Sequence, residues 1–350
     1  MDLSLANVLP EMAQNPILVV IIILSMGVCM VNGATDAPNS IATAVSTRSL
    51  KPWQAIALAV TGDFLGITVM SLVTTAVAGT IFNMVDFGGD THQAQVALMA
   101  AMVAIIVWGG GAWLLSIPSS QSHSLIAGLT GAAIALQGGF GGVNWDVWVT
   151  VIYGLVVSMG LGFGLGWGFT KLIGKLCRNV NHGKAQGPFR ALQIITAGTL
   201  ALMHGSQDGQ KFMAICMLGV VLAMGGGQGD IGPIPVWLMI LCAVSMGLGT
   251  TFGGSRIIKS VGMDMVKLEK WQGFATSLSS TLSIFISTIT GLPISTTHAN
   301  TTAVMGVGTA KRLSAVKWGM AKNMVWTWIL TFPGCGIIAY GLVYLFEAVF

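Results

Sequence analysis

Apolar stretches long enough to cross a bilayer, about 20 residues each, recur from Pro16 to the C-terminus, separated by short polar connections. Many of them contain glycine, which transmembrane helices tolerate because neighbouring helices satisfy the backbone. The pattern predicts helical crossings at 16–47, 52–82, 145–170, 190–224, 236–255 and 323–348. Two further stretches, 94–137 and 271–310, are each too long for one crossing and carry a Pro, Ser and Thr-rich centre. They predict helical hairpins that return to the side they started from.

Composition turns this pattern into a fold class. Hydrophobic residues make up 54% of the 350 and charged residues only 8%, where a soluble domain carries about 25% charged. That leaves too little polar surface for a fold solvated by water, so lipid is the solvent. Met1 to Asn15 contain no Lys or Arg and lack the basic region of a cleaved signal peptide, so the first apolar run reads as a retained span. Four of the five cysteines lie in apolar runs and Cys177 in a basic loop, which suits small packing residues and gives no disulfide framework. The net charge of +4 reflects topology, and nothing resembles a nucleic-acid patch.

Charge placement then orients the spans. Lys and Arg gather at Arg48 and Lys51, from Lys171 to Arg190, from Arg256 to Lys270, and from Lys311 to Lys322. By the positive-inside rule these connections are cytoplasmic. Asn83 to Gln95, Gln137 to Asn144 and Gly225 to Pro235 contain neither residue, and Asp86, Asp90 and Asp230 lie in them, so they read as external. Each half of the chain then has three crossings and one returning hairpin, and an odd number of crossings per half forces the halves into opposite orientations. The expected architecture is an all-α polytopic membrane protein of two inverted-topology repeats with broken helices. The first repeat is 1–180, with its N-terminus external and its re-entrant hairpin at about 94–137. The second is 181–350, with its hairpin at about 271–310.

Repeated elements support the duplication. Asn32-Gly33-Ala34-Thr35-Asp36 matches His204-Gly205-Ser206-Gln207-Asp208 at an offset of 172 residues. Pro118-Ser119-Ser120-Gln121-Ser122-His123 matches Pro293-Ile294-Ser295-Thr296-Thr297-His298 at 175, and Trp145 matches Trp318 at 173.

The same elements hold the candidate chemistry. Asp36 and Asp208 interrupt apolar runs, and an acid at membrane depth costs several kcal/mol unless paired or solvated. Neighbouring glycines, and Pro38 after Asp36, predict a broken helix at both positions. Free carbonyls beside a carboxylate would make a sodium site or a proton acceptor; the competing reading is a helix cap near water. Ser119, Ser120, Gln121 and Ser122, with Ser295, Thr296 and Thr297, offer hydroxyls and free N–H groups at the start of a helix, a setting that suits an anion but also ordinary N-capping. His123 and His298 could donate to an oxyanion, relay a proton or support the hairpin tips, and support is favoured. Lys211, three residues after Asp208, is either a local ion-pair partner or a substrate-facing cation. Asn39, at the same offset from Asp36, is a neutral amide able to bind a cation or an anion, or to cap. Asp63 is a further acid inside a span, without a repeat partner. Gly109-Gly110-Gly111 and Gly225-Gly226-Gly227 lack the strand and helix context of a nucleotide loop. No nucleophile and base arrangement stands out, so an enzyme is not expected.

The run from Asn32 to Asn39, followed by Ile41-Ala42-Thr43 and Thr47-Arg48, resembles the Gly-x-x-Asp-x-x-Asn signature of the PiT family of inorganic phosphate transporters. His204 to Lys211 resembles that family's second signature, and the two Pro-to-His motifs resemble its hairpin motifs. The resemblance implies symport of phosphate with Na+ or H+ by alternating access across the cytoplasmic membrane, no cofactor, and a homodimer. It implies that Asp36 and Asp208, with Asn32, serve the coupling cation, the two acids being the metal ligands if that cation is sodium. It also implies phosphate contacts from Asn39, Gln121, Ser122, Thr296 and Thr297, to which Ser120, Ser295 and Lys211 are added from the reading above. Two departures matter: Thr35 and Gln207 stand where an Asn commonly precedes each Asp, and the second copy has Lys211 where the first has Asn39, which breaks strict symmetry of the site. A sulfate or other oxyanion permease of the same fold is the alternative; a passive channel fits less well, because no continuous polar file is evident.

Overall fold

A computed structural model describes residues 3–350 except 89, 116, 118 and 227–231, and the side chains of all of these except 182 and 259–264. Pro118 of the first hairpin motif, Gly227 and Asp230, expected on the external side, lie outside the described residues.

The chain is helical almost throughout. In order it forms α1 (Leu5–Gln14), α2 (Pro16–Thr35), α3 (Ala37–Ser46), α4 (Pro52–Leu65), α5 (Ser71–Val73), α6 (Ala76–Phe82), α7 (Thr91–Leu114), α8 (Gln121–Gln137) and α9 (Trp145–Leu176). It continues with α10 (His182–Ala223), α11 (Val236–Asp264), α12 (Lys270–Ile289), α13 (Thr296–Lys311) and α14 (Trp318–Glu347). Among the described residues six helical stretches, Pro16–Ser46, Pro52–Val73, α7, α9, Val236–Ile258 and α14, are long and apolar enough to cross a membrane; the expected crossing at 190–224, within α10, is not one of them. Large apolar side chains such as Leu72, Val149, Phe252 and Ile337 stand on the outer surface, where lipid is their natural solvent. The protein is a multi-pass membrane protein.

Both hairpins form where the pattern puts them, α7 with α8 and α12 with α13, and each second helix opens at its motif. Ser120 and Ser295 are the N-caps: each Oγ accepts from the backbone N–H three residues on, at His123 and His298. This satisfies one of the orphan donors of a helix start. Helices α14 and α9 flank α8 and α13 respectively, while α2 packs on α11 and α4 on α10.

Two expectations change. A helix break was predicted at both aspartates, yet α10 runs unbroken through Asp208, and only Asp36 interrupts, as a single residue between α2 and α3. The cause is Pro38, which lacks an N–H and so removes one i→i−4 bond; the segment around Asp208 has glycines but no proline. The crossing at 52–82 is segmented. A π-helical turn at Gly66–Met70 follows α4, and the chain restarts at Ala76 after two non-helical residues. Such turns often accompany functional sites, and here the π turn packs on α10. A further helix, α1, precedes the first span, and the carbonyl of Leu3 just before it accepts from Trp237 Nε1 of α11 at 2.9 Å.

The loops sort by charge. The two Lys- and Arg-free connections at 83–95 and 137–144 meet: Asp86 N–H donates to Gly142 O at 2.8 Å, and Asn144 N–H to Met84 O at 3.0 Å. The basic connections also meet each other. Arg190 Nε donates to Ser49 O at 3.0 Å, and Lys171, Lys175, Lys270 and Lys311 line one cavity of about 560 Å³. The five cysteines are free, four of them buried.

Candidate functional site

The segments carrying the duplicated motifs converge on one buried cluster. The N-termini of α8 and α13 face each other, and the two capping hydroxyls, Ser120 Oγ and Ser295 Oγ, lie 2.8 Å apart. One step along each helix, the His123 and His298 rings make an edge contact at 4.5 Å. His298 also packs on Trp328, and His123 Nδ1 lies 3.2 Å from the Trp328 carbonyl. Both histidines are thus wedged between the hairpin tips and α14.

Asp208 is saturated with partners. Lys211 Nζ lies 2.7 Å from Oδ1; Asn32 Nδ2 donates to Oδ2 at 3.0 Å, and Thr296 Oγ1 donates to it at 3.3 Å. His204 Nε2 stands 3.3 Å from Oδ2, without the alignment of a hydrogen bond. The other ring nitrogen of His204 meets Asp63 Oδ1 at 2.7 Å. Asp63, which had no partner in the sequence, is therefore joined to Asp208 through His204. The helices must approach closely for this. Gly205 lies against the Asp63 backbone, where a side-chain carbon would clash, and Gly66 lies equally close to the backbone of α10. Gln207, the departure from the signature, ties α10 to the second hairpin: its Nε2 donates to Leu292 O at 2.8 Å and its Oε1 accepts from Thr288 at 3.1 Å.

Asp36 is almost empty by comparison. Oδ2 accepts from the Gln121 N–H at 3.1 Å, at the first residue of α8, so this carboxylate sits at the positive end of a helix. Oδ1 has no partner, and neither do Asn32 Oδ1, Asn39 Oδ1 or the Gln121 side-chain amide. These groups are buried, and a buried polar atom without a partner is costly. Thr35 contributes nothing here, since its hydroxyl turns back to Val31 O at 2.8 Å.

Further cross-links run between the two copies of the motif. Asn39 Nδ2 donates to Thr297 Oγ1 at 3.0 Å, while Lys211 Nζ donates to Ser122 Oγ at 2.7 Å and to the Ile294 carbonyl. Asn300 holds Asn39 from behind, Nδ2 to the Asn39 carbonyl at 2.8 Å. Asp36, Asn39, Ser120, Gln121, Ser122, His123, Asp208, Lys211, Ser295, Thr296, Thr297 and His298 are all brought into this cluster, whereas the Ser119 hydroxyl has no partner. The sequence reading missed His204 as a bridge, although its place four residues before Asp208 on one helix face was the available signal, and it missed Asn300. Lys211 is 0% exposed and Asp36 1%, so both charged groups are closed off from solvent. Among the described residues no group of three or more His, Cys, Asp or Glu side chains is disposed to hold a metal ion. The donor set is instead one of oxygens and amides, suited to a hard alkali cation or to protons.

Broken or polar helices meeting at a closed, charged centre of a multi-pass helical membrane protein define the transporter class. The profile of the phosphate transporter family matches residues 32–187 and 177–339, and the chain belongs to that family. A probable low-affinity inorganic phosphate transporter of Bacillus subtilis is 36% identical over 92% of this chain and 96% of its own length. One described in the same words from Rhizobium meliloti is 37% identical over 93% and 95%. Among solved structures, one titled the sodium-dependent phosphate transporter superposes with a TM-score of 0.88 at 23% identity, covering 96% of this chain and 100% of that one. At that identity the match speaks to the fold.

Proposed function

We propose that the protein carries inorganic phosphate across the cytoplasmic membrane in symport with Na+ or H+, by alternating access. The observation that carries this reading is the meeting of two helix N-termini at Ser120 and Ser295, 2.8 Å apart, with a carboxylate at each. Two such ends supply roughly half a positive charge apiece, together with free donors, to a multivalent anion. The proposed phosphate contacts are Ser120, Gln121, Ser122, Ser295, Thr296, Thr297 and Asn39; Lys211, expected among them, is left out because its three donors go to Asp208, Ser122 and the Ile294 carbonyl. Asp36, Asn32 and Asp208 form the cation side, and His123 and His298 brace the tips.

The chain is read as two inverted repeats, 1–180 and 181–350. In support, equivalent residues pair with each other or in mirrored fashion: Ser120 with Ser295, His123 with His298, and Asn39 with Thr297 as Lys211 with Ser122. The basic loops are then cytoplasmic. A cation entering beside Asp36 offsets the repulsion its carboxylate exerts on phosphate, so loading one favours the other. Loaded hairpins move between facings. The homodimer stays part of this reading and is checked by light scattering of the detergent-solubilised protein.

The test is uptake of radiolabelled phosphate by the purified protein in liposomes, with sodium and proton gradients imposed separately and unlabelled sulfate as competitor. Saturable uptake driven by one gradient and indifferent to sulfate is expected. Uptake of sulfate in place of phosphate would keep the architecture and replace the substrate.

A further inference from the structure

The duplicated motif has Asn39 three residues after Asp36 and Lys211 three residues after Asp208. Their contacts match: Asn39 reaches Thr297 of the second hairpin and Lys211 reaches Ser122 of the first, and Ser122 and Thr297 are equivalent positions of the two hairpin motifs. What differs is charge. An ammonium has three donors and no acceptor. Lys211 Nζ uses them on a carboxylate oxygen at 2.7 Å, a hydroxyl oxygen at 2.7 Å and the carbonyl of Ile294. Carboxylate, hydroxyl and backbone carbonyl are the oxygen ligands that transporter sites offer to Na+. No donor is left over for an anion. In the other half Asp36 Oδ1, Asn32 Oδ1 and Asn39 Oδ1 have no partner, and no ion pair to Asp36 forms among the described residues.

We infer that Lys211 is a tethered cation, fixed in the second half at the position that a mobile coupling cation takes in the first, so that a cycle loads an exchangeable cation beside Asp36 but none beside Asp208. The inference rests on the cation-coupled reading above and deepens it: the identity of residue 211 sets how many cations accompany each phosphate. With the lysine in place, Asp208 is neutralised before any ion arrives. With a neutral residue there, the second carboxylate regains an empty, oxygen-lined position and takes up a second mobile ion.

The experiment compares the full-length wild type, Lys211→Asn, which copies the first half, and the double variant Asp208→Asn with Lys211→Asn, which removes both charges together. Initial phosphate uptake into liposomes is measured against the concentration of sodium at fixed pH, and of protons without sodium. For the driving ion, uptake is expected to be first order in the wild type, second order in Lys211→Asn and first order again in the double variant. A readout independent of turnover is equilibrium binding to the solubilised proteins, followed as radioactive sodium or as protons taken from a weakly buffered solution. It is expected to double from wild type to Lys211→Asn and to return to the wild-type level in the double variant. An unchanged order and unchanged binding in Lys211→Asn, with a raised half-saturation for phosphate, would make Lys211 a substrate ligand and overturn the inference alone. A wild type already second order would also overturn it. A wild type that moves phosphate but ignores both cations would overturn the coupled reading, and the inference with it.

Discussion

The two halves of the site carry one motif and treat it in opposite ways. On the Asp208 side the helix is unbroken, the carboxylate is surrounded by Lys211, Asn32, Thr296 and His204, and a second acid, Asp63, supports the arrangement from behind. On the Asp36 side the helix is interrupted, and the carboxylate has one backbone donor and an unpartnered oxygen. Burying a charge with its partners is a structural investment; burying one without them is tolerated where something arrives to complete it. The difference teaches that one copy of the duplicated motif is a built-in contact that holds the site together, while the other leaves a carboxylate oxygen open, on the side where the proposed cation would load.

The sharpest way to break this comparison is to unbalance the filled half. Asp208→Asn strands a buried ammonium, a change that costs about 3–5 kcal/mol when one partner of a buried pair is removed. A markedly lower thermal-unfolding midpoint in detergent is the expected outcome, and adding Lys211→Asn should restore most of the loss, a coupling that a double-mutant cycle reads directly. Asp36→Asn is expected to leave the midpoint near the wild type, because only one hydrogen bond is involved. Equal losses for the two single variants would erase the distinction.

A smaller effect is expected at the close approach that supports the filled half. Gly205→Val places carbon atoms against the Asp63 backbone, and such overpacking costs about 1–3 kcal/mol. It should lower the unfolding midpoint and slow phosphate uptake, because it separates Asp63 from His204. A smaller effect again, exceeding only the near-silent Asp36→Asn, belongs to the seam shared by both halves. Ser120→Ala or Ser295→Ala removes one N-cap bond each, worth about 1 kcal/mol. The two substitutions should cost equally in thermal unfolding, since the seam pairs a residue with its own equivalent.

Much of this was legible in the sequence. Hydropathy located five of the six expected crossings, all but 190–224, and the Ser residues after each hairpin turn announced the N-caps, because a Ser three residues before a further polar position is a local signal. The break at Asp36 was legible through Pro38, whose missing N–H is a covalent fact. The continuity of α10 was not, because glycine permits a break without requiring one, and tertiary packing decided for helix. The bridge from Asp63 through His204 to Asp208 was hidden for a related reason: His204 and Asp208 share a helix face, but Asp63 is brought to them only by the packing of α4 on α10 through Gly205 and Gly66. The split in 52–82 likewise depends on contacts between segments far apart in the chain. The opposite fates of two similar aspartates rest on such contacts too, and sequence alone offered only the contrast of Lys211 with Asn39.

The most direct measurement is phosphate uptake into liposomes under an imposed gradient of the driving cation, wild type against Asp36→Asn at equal reconstituted protein. Loss of the gradient-driven component in the variant, with its unfolding midpoint unchanged, is the expected result. Full gradient-driven uptake by Asp36→Asn would contradict the assignment of the open half as the place where the coupling cation loads.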